Sequence, residues 1–211
     1  EVTATAIAVG KELKKTMVIT KDAPAFVVNR LLTMFWGEVT DAIDEGTPFE
    51  IGDKAVAPLG LPMTPFVLFG LVGPAVALHV SETLHETLGP RFTISENMKN
   101  YVSAGIKNFY IKTENGEYVP DPKVLAMMKQ GNSPSSAEQV RVRALTAIAK
   151  EARMMLDEGV VSTPAEIDLC MMLGAGWPLH LGGILPYLDE SGISESATGS
   201  RFHPKGVASL P

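Results

Sequence analysis

Lys21-Asp22-Ala23-Pro24-Ala25-Phe26-Val27-Val28-Asn29-Arg30-Leu31-Leu32 joins a short apolar run to the first long helical pattern of the chain, and its reading decides the fold. Ahead of it, residues 1–15 are Ala-rich and close on Lys14-Lys15, which suits a helix with cations in its last turn. Met17 to Thr20 reads as a strand, and Lys21 to Pro24 as a turn. A helix, one strand and a turn make the last piece of an α/β unit whose partner strands are missing from this sequence. The chain is therefore expected to be a fragment of a longer one. After the turn a helix begins, carrying the polar pair Asn29-Arg30 among apolar neighbours. An amide buried there without partners would cost about 1–3 kcal/mol. Asn29 either satisfies a nearby backbone group or faces a ligand.

Working outward, apolar residues recur at helical spacing through Val28, Leu31, Leu32, Phe35, Val39 and Ile43, and Gly46 is a plausible stop. Thr47-Pro48-Phe49-Glu50 reads as a capping box that opens a short helix, and Leu59-Gly60-Leu61-Pro62 as a turn. Further helical patterns cover Thr64 to Phe69, Pro74 to Leu88 and Met98 to Gly105. Asn115-Gly116, between Asn108–Lys112 and Tyr118-Val119, marks a small hairpin or loop. Gln130 to Ser136 is a polar linker, followed by a long amphipathic helix over Ala137 to Leu156.

The plan then repeats. Asp44-Glu45-Gly46, Thr47-Pro48-x-Glu50, Asp53 and Gly60-Leu61-Pro62 return as Asp157-Glu158-Gly159, Thr163-Pro164-x-Glu166, Asp168 and Gly176-Trp177-Pro178. This is a duplicated helical unit whose two copies share one core. Counting back from Gly46 and Gly159, Asn29-Arg30 falls on Val142-Arg143. The Arg is kept and the Asn is not, which points to a role for Asn29 specific to the first copy. Both Asp-Glu pairs precede a helix-stopping glycine and read as solvated helix ends.

Composition narrows the classes. A net charge of −6 with no block of Lys or Arg sets nucleic acid and anionic membrane surfaces aside as partners. No apolar run reaches the roughly 18 residues of a membrane span. Cys170 is the only cysteine, so no internal disulfide forms, which suits a cytoplasmic setting. His79, His85 and Glu86 lack metal-binding spacing, His180 and His203 read as loop residues, and Cys170 as a buried thiol. No metal site is expected.

Lys21 to Leu32 resembles the entry to the C-terminal domain of 3-hydroxyacyl-CoA dehydrogenases, roughly K-D-x-P-G-F-[VI]-[VIA]-N-R-[LIV], with Ala25 where Gly is usual. Asp44-Glu45-Gly46, Asp53 and Gly60-Leu61-Pro62-Met63-Thr64-Pro65-Phe66 resemble the same domain's D-x-A-x-x-x-G-x-P-x-G-P-F segment, and Phe109-Tyr110 its closing G-F-[YW]. The second copy, down to Arg201-Phe202-His203-Pro204, is similar to the tandem arrangement in the family's multifunctional fatty-acid oxidation members. The resemblance implies a mainly α fold, a duplicated C-terminal helical domain. Residues 1–22 would be the end of an NAD-binding Rossmann domain, 23–130 the first helical domain and 131–211 the second. It implies a part of an NAD-dependent enzyme of β-oxidation, with NAD held by the missing domain and none on this chain, where no G-x-G-x-x-G follows a strand. It assigns Asn29 to the substrate, near the reacting carbonyl, as the catalytic residue carried here. It sets Leu173 where multifunctional members have a second substrate contact, although the surrounding residues read Leu173 as core. The implied partners are acyl-CoA, upstream Rossmann and hydratase domains and further copies of the chain. The rival expectation is a non-catalytic helical scaffold for a thiolase subunit.

Overall fold

A computed structural model describes residues 1–207. It is mainly helical, with one two-stranded sheet. The helices are α1 (Val2–Glu12), α2 (Val28–Asp44), α3 (Phe49–Lys54), α4 (Pro65–Val72), α5 (Pro74–Leu88), α6 (Glu96–Ser103), α7 (Pro122–Met127), α8 (Ala137–Asp157), α9 (Pro164–Ala175), α10 (Ile184–Glu190) and α11 (Ile193–Thr198). Of the two expectations around Asn115-Gly116, hairpin or loop, strands β1 (Tyr110–Lys112) and β2 (Tyr118–Pro120) form the hairpin, antiparallel with Ile111 opposite Val119. Gly116 takes the left-handed turn position at φ +87°.

The expected stripe of α2 is the stripe it buries. Leu31, Phe35, Val39 and Ile43 are in the core, with Val28 and Leu32 half-buried beside them. The α8 stripe of Val140, Ala144, Leu145, Ile148, Ala152 and Met155 meets it. One continuous apolar core runs through both copies, from Val27 to Phe202. α4 and α5 are bent by 103° at Gly73-Pro74. Gly73 supplies a φ of +94°, and the proline's absent N–H falls where a helix start has a spare donor anyway.

The duplication is visible as reciprocal contacts. α2 carries Arg30, Glu38 and Glu45, and α8 carries Arg143, Glu151 and Glu158 at the same spacing. Each arginine reaches the other helix's two glutamates. Arg30 donates to Glu151 at 2.6 Å and to Glu158 at 2.8 and 3.2 Å. Arg143 donates to Glu38 at 3.0 Å and to Glu45 at 2.6 and 3.1 Å. The Asp-Glu pairs are exposed helix ends only in part: Glu45 and Glu158, though exposed, clasp the opposite copy, while Asp157 faces solvent. Asp44 accepts from Asn97 at 2.6 Å.

The turns pair in the same way. A Cβ built on Gly60 would sit 3.3 Å from the Pro178 ring, and one on Gly176 3.1 Å from the Pro62 ring, with both glycines left-handed (φ +75° and +70°). In each copy a buried aspartate then caps the next helix. Asp53 accepts from the Phe66 N–H at 2.8 Å, and Asp168 from the Leu185 N–H at 2.8 Å.

Three local expectations fail. Met17 to Thr20 is not a strand: with no neighbour to supply ladder hydrogen bonds it runs as coil, leaving Met17 and Ile19 exposed. Thr47 does not cap α3. It is fully buried, its hydroxyl accepts from the Ser135 N–H at 2.9 Å across the linker, and Pro48 becomes the N-cap. In the second copy Glu166 does reach back, accepting from the Thr163 and Ser162 N–H groups at 2.9 and 2.7 Å. His203 is more than a loop residue, since its Nε2 lies 2.7 Å from Asp168. Two short helices, α7 and α11, are not among those expected from the sequence.

Candidate functional site

Asn29, Leu32, Thr33, Trp36, Gly37 and Thr40 stand on one face of α2 at steps of three and four. Leu32 and Trp36 on this face lean on the edge of the core, and Asn29 is left exposed. The face forms one wall of a groove of about 380 Å³. The facing wall is the α4–α5 elbow (Leu68, Phe69, Val72, Val76, Ala77, Val80), closed at one end by Leu61–Met63 and at the other by Thr93, Ser95 and Met98. Gly174 and Ala175 of the second copy complete the rim near Val28 and Asn29. None of the lining residues is charged; the polar ones are Asn29 and a few hydroxyls. Trp36 stiffens the wall through edge contacts: its ring lies 5.3 Å from Phe69, which lies 5.2 Å from Phe66.

Asn29 is exposed at this groove, and among the described residues its amide has no hydrogen-bond partner. Of its two readings, the nearby backbone partner is not formed. The buried member of the polar pair is Arg30, fully enclosed beside an equally enclosed Glu151. Glu151 also accepts from Arg91 at 2.9 and 3.2 Å. Two arginines and two glutamates, Arg30, Arg91, Glu151 and Glu158, compose one network in which the charges balance. It is anchored one residue from Asn29. Burial works against the Arg30 charge, but the Glu158 and Glu151 hydrogen bonds outweigh it and hold the guanidinium charged; the Arg30 bond in turn draws Glu158 down.

The chain entering α2 is strained. Ala25 and Phe26 both sit in the left-handed region, at φ +59° and +51°, where the family pattern has Gly at the first of the two. Lys21 ties this turn to the second copy, its N–H donating to the Val160 carbonyl at 2.9 Å.

Leu173 is neither core nor groove. It is 61% exposed, while the next two residues reach the rim. A helical apolar context suggested burial, but the helix turns this position outward. Other titratable groups have structural partners. Asp53 accepts from Thr64 at 2.7 Å and Tyr110 at 2.5 Å besides Phe66. Burial pushes its carboxyl up against those bonds, and burial together with the Asp53 charge pushes the Tyr110 phenol up. Asp41, beside the groove's back, is pushed up to about 6, by burial first and then by Glu38, Asp44 and Glu45, with a Thr93 hydroxyl opposing. Burial raises Cys170 too. Among the described residues no three His, Cys, Asp or Glu side chains come together as a metal site. No single helix there is long and apolar enough to cross a membrane; the bent α4–α5 pair is the nearest in composition.

The residues present do not fit a dinucleotide. Among the described residues the only sheet is an antiparallel hairpin, so no parallel strand there leads a glycine-rich turn into a helix, and the uncharged groove offers nothing to a pyrophosphate.

What sequence reasoning missed is the elbow wall and the clasp. The clasp had a signal, the shared Arg-x₇-Glu-x₆-Glu spacing of the two long helices.

Comparison with known proteins agrees with this architecture. Residues 26–118 match the family model for the 3-hydroxyacyl-CoA dehydrogenase C-terminal domain. The fatty acid oxidation complex subunit alpha of Vibrio cholerae is 28% identical over 204 residues, covering 92% of this chain and 28% of that protein. Its counterpart from Idiomarina loihiensis is 31% identical, covering 90% and 28%, and that from Shewanella amazonensis 29%, covering 98% and 32%. The chain thus spans about a third or less of the length of the curated relatives it matches. The crystal structure of 3-hydroxybutyryl-CoA dehydrogenase from Escherichia coli superposes with a TM-score of 0.63 at 17% identity, over 95% of this chain and 62% of that one, a likeness of fold. Residues 26–118 thus match the C-terminal domain of the 3-hydroxyacyl-CoA dehydrogenase family, and the likeness to the fatty acid oxidation relatives runs over nearly the whole chain.

Proposed function

We propose that the chain is the substrate-binding part of an NAD-dependent 3-hydroxyacyl-CoA dehydrogenase of fatty-acid oxidation, working with a separate NAD-binding domain. Residues 1–22 would lead from that domain, 23–130 hold the substrate, and 131–211 brace it. The observation that carries this reading is Asn29. It is an unpartnered amide on an uncharged groove, held next to a buried ion network, and it is present in the first copy only. An amide Nδ2–H there can donate to the oxygen at C3 as it gains carbonyl character, and can hold the acyl thioester in one orientation. The base and the hydride acceptor would come from the NAD-binding domain, and this chain alone is expected not to turn over. Leu173, exposed beside the rim, would touch the substrate only outside the groove.

Titration of the chain with a 3-hydroxyacyl-CoA, read by amide exchange and calorimetry, tests the proposal. Protection is expected around Val27 to Thr33, and Asn29→Ala should weaken binding about tenfold, the worth of one hydrogen bond. Stability should stay within about 0.5 kcal/mol, since the amide has no partner to lose. Protection confined to the second copy, or an unchanged affinity in Asn29→Ala, would refute it. A second reading, a scaffold for a thiolase subunit or for further copies of the chain, draws on the exposed Leu173 and Leu179 of the second copy. It forecasts burial of those two leucines on mixing, with the groove left open.

A further inference from the structure

We infer that the groove is built for a straight aliphatic chain of about a dozen carbons, and that Gly37 keeps its far quarter open. The first argument is chemical. No lining residue carries a charge, so the phosphates and peptide-like linkers of a large thioester ligand find no counter-ion here. Only an uncharged apolar portion gains by entering.

The second argument is size. A closed cavity of about 150 Å³ holds one six-carbon ring, so about 380 Å³ has room for about twelve to fifteen carbons. A four-carbon chain would leave most of it wet. The third is length. From Asn29 to Thr40 the groove follows eleven residues of α2, about 16 Å at 1.5 Å per residue. That is the reach of an extended chain of about a dozen carbons, not of a compact ring.

Gly37 lies eight residues past Asn29, about 12 Å along the axis. A glycine in mid-helix weakens α2. Here it has a use: a side chain would stand in the groove, with a Cβ already 3.3 Å from the Thr93 hydroxyl. On the preceding reading this chain is the acyl tail of the substrate, with its reacting end at Asn29.

The test titrates the full chain with two series, straight-chain 3-hydroxyacyl-CoAs and straight-chain alcohols, each from four carbons upward. Affinity should rise about two- to fourfold per methylene and level off near a dozen carbons. Gly37→Leu should move the levelling point to about three quarters of that length, and Val76→Asp, at a wall position already 55% exposed, should cut the ratio of long- to short-chain affinity at least tenfold. The alcohol series separates this inference from the proposed function. Length-dependent alcohol binding with no thioester binding would keep the groove's occupant and sink the dehydrogenase reading. Thioester binding with no dependence on chain length, or a slope untouched by both variants, would overturn the inference.

Discussion

Replacing Glu151 by Ala should be the most damaging single change in the interface between the two copies. The carboxylate is fully enclosed and bridges Arg30, also fully enclosed, and Arg91. Its loss leaves the Arg30 Nε–H without an acceptor in a dry site. Breaking a buried pair from one side typically costs about 3–5 kcal/mol, because the remaining charge is stranded. Glu158 is the control. Its side chain is 44% exposed, so water can replace it on Arg30, and Glu158→Ala should cost about 1 kcal/mol or less. Urea unfolding measures both. With a slope of about 2.5 kcal/mol per molar, Glu151→Ala lowers the midpoint by about 1.5 M, and Glu158→Ala by less than about 0.5 M. Removing Arg30 as well should recover part of the loss, because the stranded cation goes with it. Equal midpoints for the two single variants would refute the reasoning, since then the network would be solvated in practice.

Ala25→Gly should raise stability by about 0.5–1 kcal/mol by relieving the left-handed strain at φ +59°, and a lower thermal midpoint would count against it. Asp41 binds a proton at about pH 6 when folded and near 3.8 when unfolded, so its contribution to stability is fully present below pH 4 and is lost as pH rises through 6. Asp41→Asn should therefore stabilise the chain at pH 7.5, by about 1–2 kcal/mol after allowance for partial exposure, and the advantage should vanish by pH 4. Asp53→Ala strips the acceptor from the Phe66 N–H and the Thr64 and Tyr110 hydroxyls together and should cost about 3 kcal/mol or more, against about 1 kcal/mol for Tyr110→Phe. Similar midpoints for that pair would show that the carboxylate caps nothing.

The helices were legible because period 3.6 leaves a direct trace, as with Leu31, Phe35, Val39 and Ile43. The duplication was legible from its turns and acidic pairs, and Asn29 from its absence in the second copy. What failed depended on partners far along the chain. Thr47 has the local signature of a cap, but Ser135, 88 residues on, takes its hydroxyl. Met17 to Thr20 has strand composition, but a strand is made by its neighbour. Arg30 looked like the polar companion of a buried Asn, whereas the arginine is buried and the Asn exposed, because its acceptors lie 121 and 128 residues away. The elbow of α4 and α5 is apolar on several sides, so composition gives no hint of which residues face a groove.

The paired turns have a consequence for how this molecule can change. Each left-handed glycine leaves a gap that the other copy's proline ring fills, and Pro62, seated on Gly176, is itself a wall of the groove. Gly174 and Ala175, from the same second copy, close its rim. The second copy thus acts as a mould for the first. A methyl group added at Gly176 would press on Pro62 and reshape a groove whose main walls belong to the other half. If the groove takes substrate as proposed, its selectivity can be retuned from a repeat that need not touch the reacting atoms at all.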